Sequence, residues 1–205
     1  MVTDGKGNNI SNYRTVVIGT QTWMAENLDY AVDGSKCYGN DTANCVIYGR
    51  LYDWSTAMSF ASSCNSSTCS SQIQSPHRGI CPSGWHIPSS EDWGKLTRYA
   101  DGTSGTFDGY YSPTAGKYLK AASGWNSYGG VNGNGTDQHG FSALPGGDGY
   151  SDGSFRNIGN EGDWWSTSEY NNDDAYHWGM YYGREYAYWG RNYKDRLFSV
   201  RCIQD

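Results

Sequence analysis

The segment from Tyr170 to Arg196 holds seven tyrosines and two tryptophans, set among Gly, Asn, Asp, His and Arg. The chemistry this mix supplies is contact rather than bond-making. Tyr and Trp offer large rigid faces at low entropic cost, and small polar residues adapt around them, as in antibody combining sites. Trp, Tyr and Arg also dominate binding hot spots. The candidate contact residues are Tyr176, Tyr181, Tyr182, Arg184, Tyr186, Tyr188, Trp189, Arg191, Asn192, Tyr193, Asp195 and Arg196. The competing reading is a plain sheet whose alternate aromatics pack inward, because Tyr176, Trp178, Met180 and Tyr182 share one parity.

Other residues with chemical capacity are sparse. The cysteines are Cys37, Cys45, Cys64, Cys69, Cys81 and Cys202. An even number in a loop-rich chain fits disulfides and an oxidising compartment, with 15 pairings open. Cys37/Cys45 and Cys64/Cys69 are near enough to staple single loops, and Cys81/Cys202 would then close a long one. A zinc site is the rival use, but no C-x-x-C pair occurs and the histidines are scattered. Those histidines, His77, His86, His139 and His177, show no spacing with a nucleophile and a carboxylate; His86 is expected to be buried against Trp85 and Trp93. G-x-S-x-G, H-E-x-x-H and phosphate-loop patterns are missing from the sequence. No cofactor is expected, although the Gly-rich loops 132–137 and 146–154 could hold a structural Ca²⁺ through Asp137, Asp148 or Asp152.

These residues need a frame, and the composition supplies one. Aromatics make up 16% of the chain and charged residues only 18%, the reverse of a disordered balance. A length of 205 residues suits one large domain spanning 1–205. The net charge of −6 argues against nucleic acid or an anionic membrane as partner. No apolar run approaches the roughly 20 residues that cross a bilayer, so membrane insertion is not expected. The opening Met1-Val2-Thr3-Asp4-Gly5 is polar and is not a signal peptide.

Along the chain, Tyr13–Ile18 is expected as a strand and Thr22–Leu28 as a short second element, with 34–45 a polar loop. Leu51–Ala61 has helical apolar spacing. The clearest helix follows Ser89 and Ser90, where Glu91 and Asp92 oppose the dipole and Trp93, Leu96 and Ala100 share a face. Thr114–Ala122 is expected as the second main helix. Strands are expected at Phe141–Leu144, Trp164–Ser168, Ala175–Tyr182, Arg184–Trp189 and Leu197–Ile203. Helices followed by antiparallel strands give an α+β class with long loops.

Several long motifs carry a resemblance. Val17–Leu28 (VIGTQTWMAENL), Tyr48–Tyr52 (YGRLY), Cys81–Ser89 (CPSGWHIPS), Gly140–Gly147 (GFSALPGG), Trp164–Thr167 (WWST) and Phe198–Cys202 (FSVRC) run in order over almost the whole chain. Together they resemble the Fibrobacter succinogenes major paralogous domain. The resemblance implies a C-type-lectin-like fold, distantly similar to formylglycine-generating enzymes. It implies adjacent N- and C-terminal strands, and a disulfide from the first helix region to the last strand, a role that Cys81–Cys202 fits. It also implies a secreted or cell-surface protein. The sugar-binding calcium tripeptides of C-type lectins are missing from this sequence. Formylglycine-generating chemistry uses a cysteine pair near the C-terminus, where only Cys202 is present.

The aromatic segment also resembles the variable region of proteins diversified by retroelements. Tyr, His, Gly, Arg, Asn, Asp, Ser and Ala are all reachable by replacing the adenines of an AAC codon. Nearly all of Tyr176–Arg196 draws on that set, the exceptions being Trp178, Met180, Glu185, Trp189 and Lys194. On that reading Trp178, Met180 and Lys194 are scaffold. The expected function is therefore an extracellular or surface recognition module, not an enzyme, that meets a protein or glycan on another surface. A formylglycine-generating-type enzyme and a passive surface domain are the alternatives.

Overall fold

Fourteen mostly short strands and four α-helices carry the residues this computed structural model describes, which are 2–3, 9–10, 13–103 and 111–205. A paired β1 (Val2–Thr3) and β2 (Asn9–Ile10) precede the hairpin of β3 (Thr15–Ile18) and β4 (Gln21–Met24). Helix α1 (Thr42–Tyr48), β5 (Leu51–Tyr52) and α2 (Trp54–Met58) lead through a cysteine-bearing loop to β6 (Trp85–His86) and α3 (Ser90–Asp101). Next come β7 (Tyr111–Ser112), α4 (Ala115–Leu119), β8 (Asp148–Gly149) and β9 (Phe155–Arg156). The long strands β10 (Glu161–Glu169), β11 (Asp174–Tyr181) and β12 (Ala187–Tyr193) follow, and β13 (Phe198–Ser199) and β14 (Ile203–Gln204) come last.

The larger sheet runs β5-β13-β10-β11-β12-β7 and the smaller one β3-β4-β14-β6. All their pairings are antiparallel except β10 with β13. The α+β expectation therefore stands, with β14 lying beside β4 through Ile203 and Trp23. Cys202, between β13 and β14, is joined to Cys81, and the short bridges Cys37–Cys45 and Cys64–Cys69 form as their spacing suggested.

Strand β10 organises the core. It is central and covered on both faces, so it is buried almost throughout instead of alternating. Neighbouring side chains still point to opposite faces. Trp164 packs with Trp93 and Trp178, while Trp165 packs with Phe198 and reaches the carbonyl of Tyr52. Two aromatic clusters result, one on each side of the sheet.

Helix α3 is built as its sequence indicated. Ser89 Oγ accepts from the Asp92 amide at 3.2 Å, and the Asp92 carboxylate accepts from the Ser89 amide at 3.0 Å, a closed capping box. Gly102 ends the helix at φ 69°.

The expected pair of main helices is corrected. Helix α3 has 12 residues, but α4 stops after Leu119. Lys120 leaves helical geometry and turns its ammonium inward to the carbonyls of Gly133, Tyr181 and Arg184. Leu51–Ala61 divides into β5 and α2, because the Asp53 carboxylate caps the amide of Thr56 at 2.7 Å and Ser59 at φ 57° ends the helix. Thr42–Tyr48 is helical where a loop was expected in part, with Asp41 capping the Ala43 amide at 2.9 Å. Phe141–Leu144 is not a strand. Asp137 holds the Ser142 amide and hydroxyl at 2.7 and 2.6 Å, fixing Ser142 at φ 53° and breaking the extended chain. The strand expected at Arg184–Trp189 starts later, at Ala187, and runs to Tyr193.

Candidate functional site

The pairing of β11 with β12 decides which aromatics face where. On one face Tyr176 lies opposite Arg191, Trp178 opposite Trp189 and Met180 opposite Ala187. Helix α3 covers part of this face: Trp178 stacks on Trp93 at 6.3 Å and 22°, and Met180 and Ala187 are buried. Beyond that cover, Tyr170, Tyr176 and Trp189 form a row with ring centroids 5.5 and 5.2 Å apart, and the Arg191 guanidinium lies 4.2 Å over Tyr170. An open groove of about 500 Å³ runs between this row and α3. Its helix wall is Ser90, Glu91, Gly94 and Arg98; its sheet wall is Ser168, Tyr176, Trp178 and Trp189. Of the chain's nine tryptophans eight are buried, and Trp189 is the half-exposed one.

The opposite face is internal. His177 packs against Phe198 and Trp165. Asp163 accepts from the Tyr188 hydroxyl at 3.1 Å and stands 3.5 Å from His177 Nε2. Gly179 is required there, because a Cβ would come within 2.5 Å of the Asp163 carboxylate and 2.6 Å of the Tyr188 hydroxyl. Burial, and then the charges of Glu161 and Asp148, push the Asp163 carboxyl well above the ordinary carboxylate range. Burial pulls His177 down to about 4. In both, burial disfavours the charged form. Burial, followed by the Asp163 charge, also raises Tyr188.

The expected contact residues thus divide among several places. Tyr176 and Trp189 line the groove, and Arg191 flanks it. Tyr182 and Arg184, beside Tyr181, sit where β11 turns toward β12, around a smaller hollow of about 260 Å³ with Lys117, Lys120 and Tyr128. Desolvation, partly offset by Glu185, lowers the Lys120 ammonium to about 8. Tyr186 lies 6.2 Å from Tyr188, whose hydroxyl points inward. Arg196 pairs with Asp148 at 3.2 Å and covers the Tyr150 ring at 3.4 Å. Asn192 accepts from the Tyr193 amide at 3.0 Å, and Tyr193 and Asp195 are exposed. None of the twelve is fully buried, whereas Trp178, Met180 and Lys194 are, at 2%, 2% and 0% exposure. Lys194 is held by Glu169 at 2.6 Å and by the carbonyls of Ser67 and Asn172.

Sequence reasoning missed the helix wall. Its signal was present: Ser90, Gly94 and Arg98 recur at four-residue steps, with a glycine inside an otherwise well-specified helix. The expectation for His86 is also corrected. It is only partly covered, because it is drawn between Asp205 at 2.8 Å and Asp92 at 3.7 Å. Desolvation alone would lower its pKa, but those two carboxylates outweigh it and raise it.

The aspartates considered for calcium have protein partners: Asp137 binds Ser142, Asp148 binds Asn157 and Arg196, and Asp152 accepts from the Ser154 amide. Among the described residues no three His, Cys, Asp or Glu side chains gather as a metal site, and no helix is long and apolar enough to cross a membrane. All six cysteines are in disulfides.

Residues 16–204 match the Fibrobacter succinogenes major domain, and the chain belongs to that family. No curated protein and no solved structure matches it. The motifs behind this membership meet in the frame, not in the groove. Asn27 Oδ1 accepts from Trp164 Nε1 at 2.8 Å and from Arg201 Nε and Nη2 at 3.0 and 2.6 Å, while its Nδ2 donates to the Tyr48 carbonyl and to Ser199 Oγ.

Proposed function

We propose that this chain is an extracellular or surface-displayed recognition module with a C-type-lectin-like fold, and that it binds a protein or glycan of another surface in the groove between α3 and the β11–β12 pair. The observation that carries this is Trp189. A chain that buries its other tryptophans leaves this one half-open, in a row with Tyr170 and Tyr176 and facing a polar wall. The volume falls within the range of roughly 300–1,000 Å³ usual for ligand sites. Three disulfides favour an oxidising compartment. The adjacency of β4 and β14, and the Cys81–Cys202 bridge from before α3 to the last strands, support the fold assignment. The cross-linked cysteines favour recognition over thiol chemistry of the formylglycine-generating type.

Diversification by a retroelement is part of the reading. Its support is that Tyr181, Tyr182, Arg184, Tyr186, Tyr188, Arg191, Asn192, Tyr193, Asp195 and Arg196, the displayed set on that reading, are all at least partly exposed, while Trp178, Met180 and Lys194 are enclosed. A near-copy of this segment's codons beside a reverse transcriptase, differing only at adenines, is the expected genomic signature; a locus without one removes this part.

The test of the groove is Trp189→Ala, screened against glycans and surface proteins alongside the native chain. The variant is expected to keep its thermal transition and lose the ligands that the native protein captures. A variant that fails to fold, or that retains every ligand, refutes the groove as the site.

A further inference from the structure

The wall of the groove contains a charge that has no ion-pair partner among the described residues. Ser90, Gly94 and Arg98 occupy one stripe of α3. Glycine is a poor choice inside a helix, yet Gly94 is buried there, and a Cβ at that position would stand 3.1 Å from Arg98 Nη1. The bare backbone lets the guanidinium lie down along the helix beside the groove. No ion pair to Arg98 is found among the described residues. Glu91, the only carboxylate among the described lining residues, is bound to Lys95 at 3.1 Å.

Resting on the recognition reading above, we infer that the groove takes an acidic saccharide, with its carboxylate on Arg98 and a sugar ring against Trp189 and Tyr176. A guanidinium fork matches a carboxylate in geometry as well as charge. The half-exposed aromatic faces suit the C–H face of a pyranose. The remaining polar groups, the Ser90 and Ser168 hydroxyls, both donate and accept, as sugar hydroxyls require. The site is a bounded trough, whereas a protein partner needs a patch of roughly 800 Å². Because the chain carries a net charge of −6, attraction of an anion is local to this wall and not a property of the whole surface.

The probes are short oligomers of galacturonate, mannuronate and glucuronate, each paired with its methyl ester, titrated into the native protein with tryptophan fluorescence and calorimetry as readouts. At least one free acid is expected to bind about tenfold or more tightly than its ester. Arg98→Gln should bring the affinity for the acid down to that of the ester, and Arg98→Lys should leave an intermediate difference. Equal affinities for acid and ester, or discrimination that survives in Arg98→Gln, overturn the assignment of the charge. No binding of any saccharide overturns the ligand class. A peptide-display selection on the same groove then separates the two readings: peptides held by the native protein and lost in Trp189→Ala leave recognition standing with a protein ligand, and peptides indifferent to Trp189 remove both.

Discussion

Truncating Asn27 to Ala removes the acceptor on which a buried cation depends. The Arg201 side chain is fully enclosed, and desolvation already lowers its pKa to about 9. Its Nε and Nη2 both donate to Asn27 Oδ1, and the Trp164 indole donates to the same oxygen at 2.8 Å. The guanidinium also meets the carbonyls of Phe141 and Ser142 and lies over the Phe141 and Trp164 rings, at 4.3 and 5.8 Å. An unpaired buried donor costs about 1–3 kcal/mol, more when charged. Three donors lose their partner, and the Arg201 fork keeps some of its bonding through the two carbonyls. The expected loss is therefore about 4 kcal/mol. Urea unfolding with the disulfides intact, followed by tryptophan fluorescence, measures it. Asn27→Asp is the control. Its carboxylate can accept the same three bonds and lacks only the donations to Tyr48 and Ser199, so it should lose less than half as much. If Asn27→Ala costs under about 1 kcal/mol, or Asn27→Asp is equally damaging, Asn27 does not hold Arg201 as described.

Two further predictions concern stability. Asp163 has a folded pKa raised above its unfolded value of 3.8, so its contribution is complete below 3.8 and declines as pH rises toward the folded value. Asp163→Asn should therefore gain on the native protein in thermal midpoint as pH rises above 3.8; a difference independent of pH would contradict a raised Asp163 pKa. The Cys81–Cys202 bridge spans 121 residues and Cys64–Cys69 spans 5, so replacing the pairs with serine should cost about 5 and about 2 kcal/mol. Chemical denaturation of the two variants tests this, and the reverse order would show that loop closure is not the main contribution.

Much of the frame was legible because local signals agreed with tertiary ones. The cap at Ser89, the acids after it and the apolar face of Trp93, Leu96 and Ala100 all describe one helix, and the fold needs that helix. Cysteine spacing suggested the bridges that form. Elements failed to appear where a single side chain redirected the backbone: Lys120 turning inward, Asp137 gripping Ser142, Asp53 capping late. The site was half legible. The composition of Tyr170–Arg196 marked the strands, and alternation placed Tyr188 and Trp189 on opposite faces. Which face met α3 depended on the register between β11 and β12 and on a helix some 80 residues earlier in the chain. No property of the segment itself could reveal that Tyr188 would serve Asp163 while Trp189 stayed open.

The placement of β13 and β14 also sets an order in time. A chain made from its N-terminus offers α3 and the two short disulfides early, since their partners are close in sequence and lie in its first half. Neither main sheet can close until residues 198–204 emerge, because β13 must slot between β5 and β10, and β14 between β4 and β6. Until then Cys81 is a thiol awaiting Cys202, and the face of Trp165 that Phe198 will cover is open to chaperones or to misplaced oxidation. Residues 198–204 thus act as the keystone of the domain: until they arrive both main sheets and the Cys81–Cys202 bridge stay open.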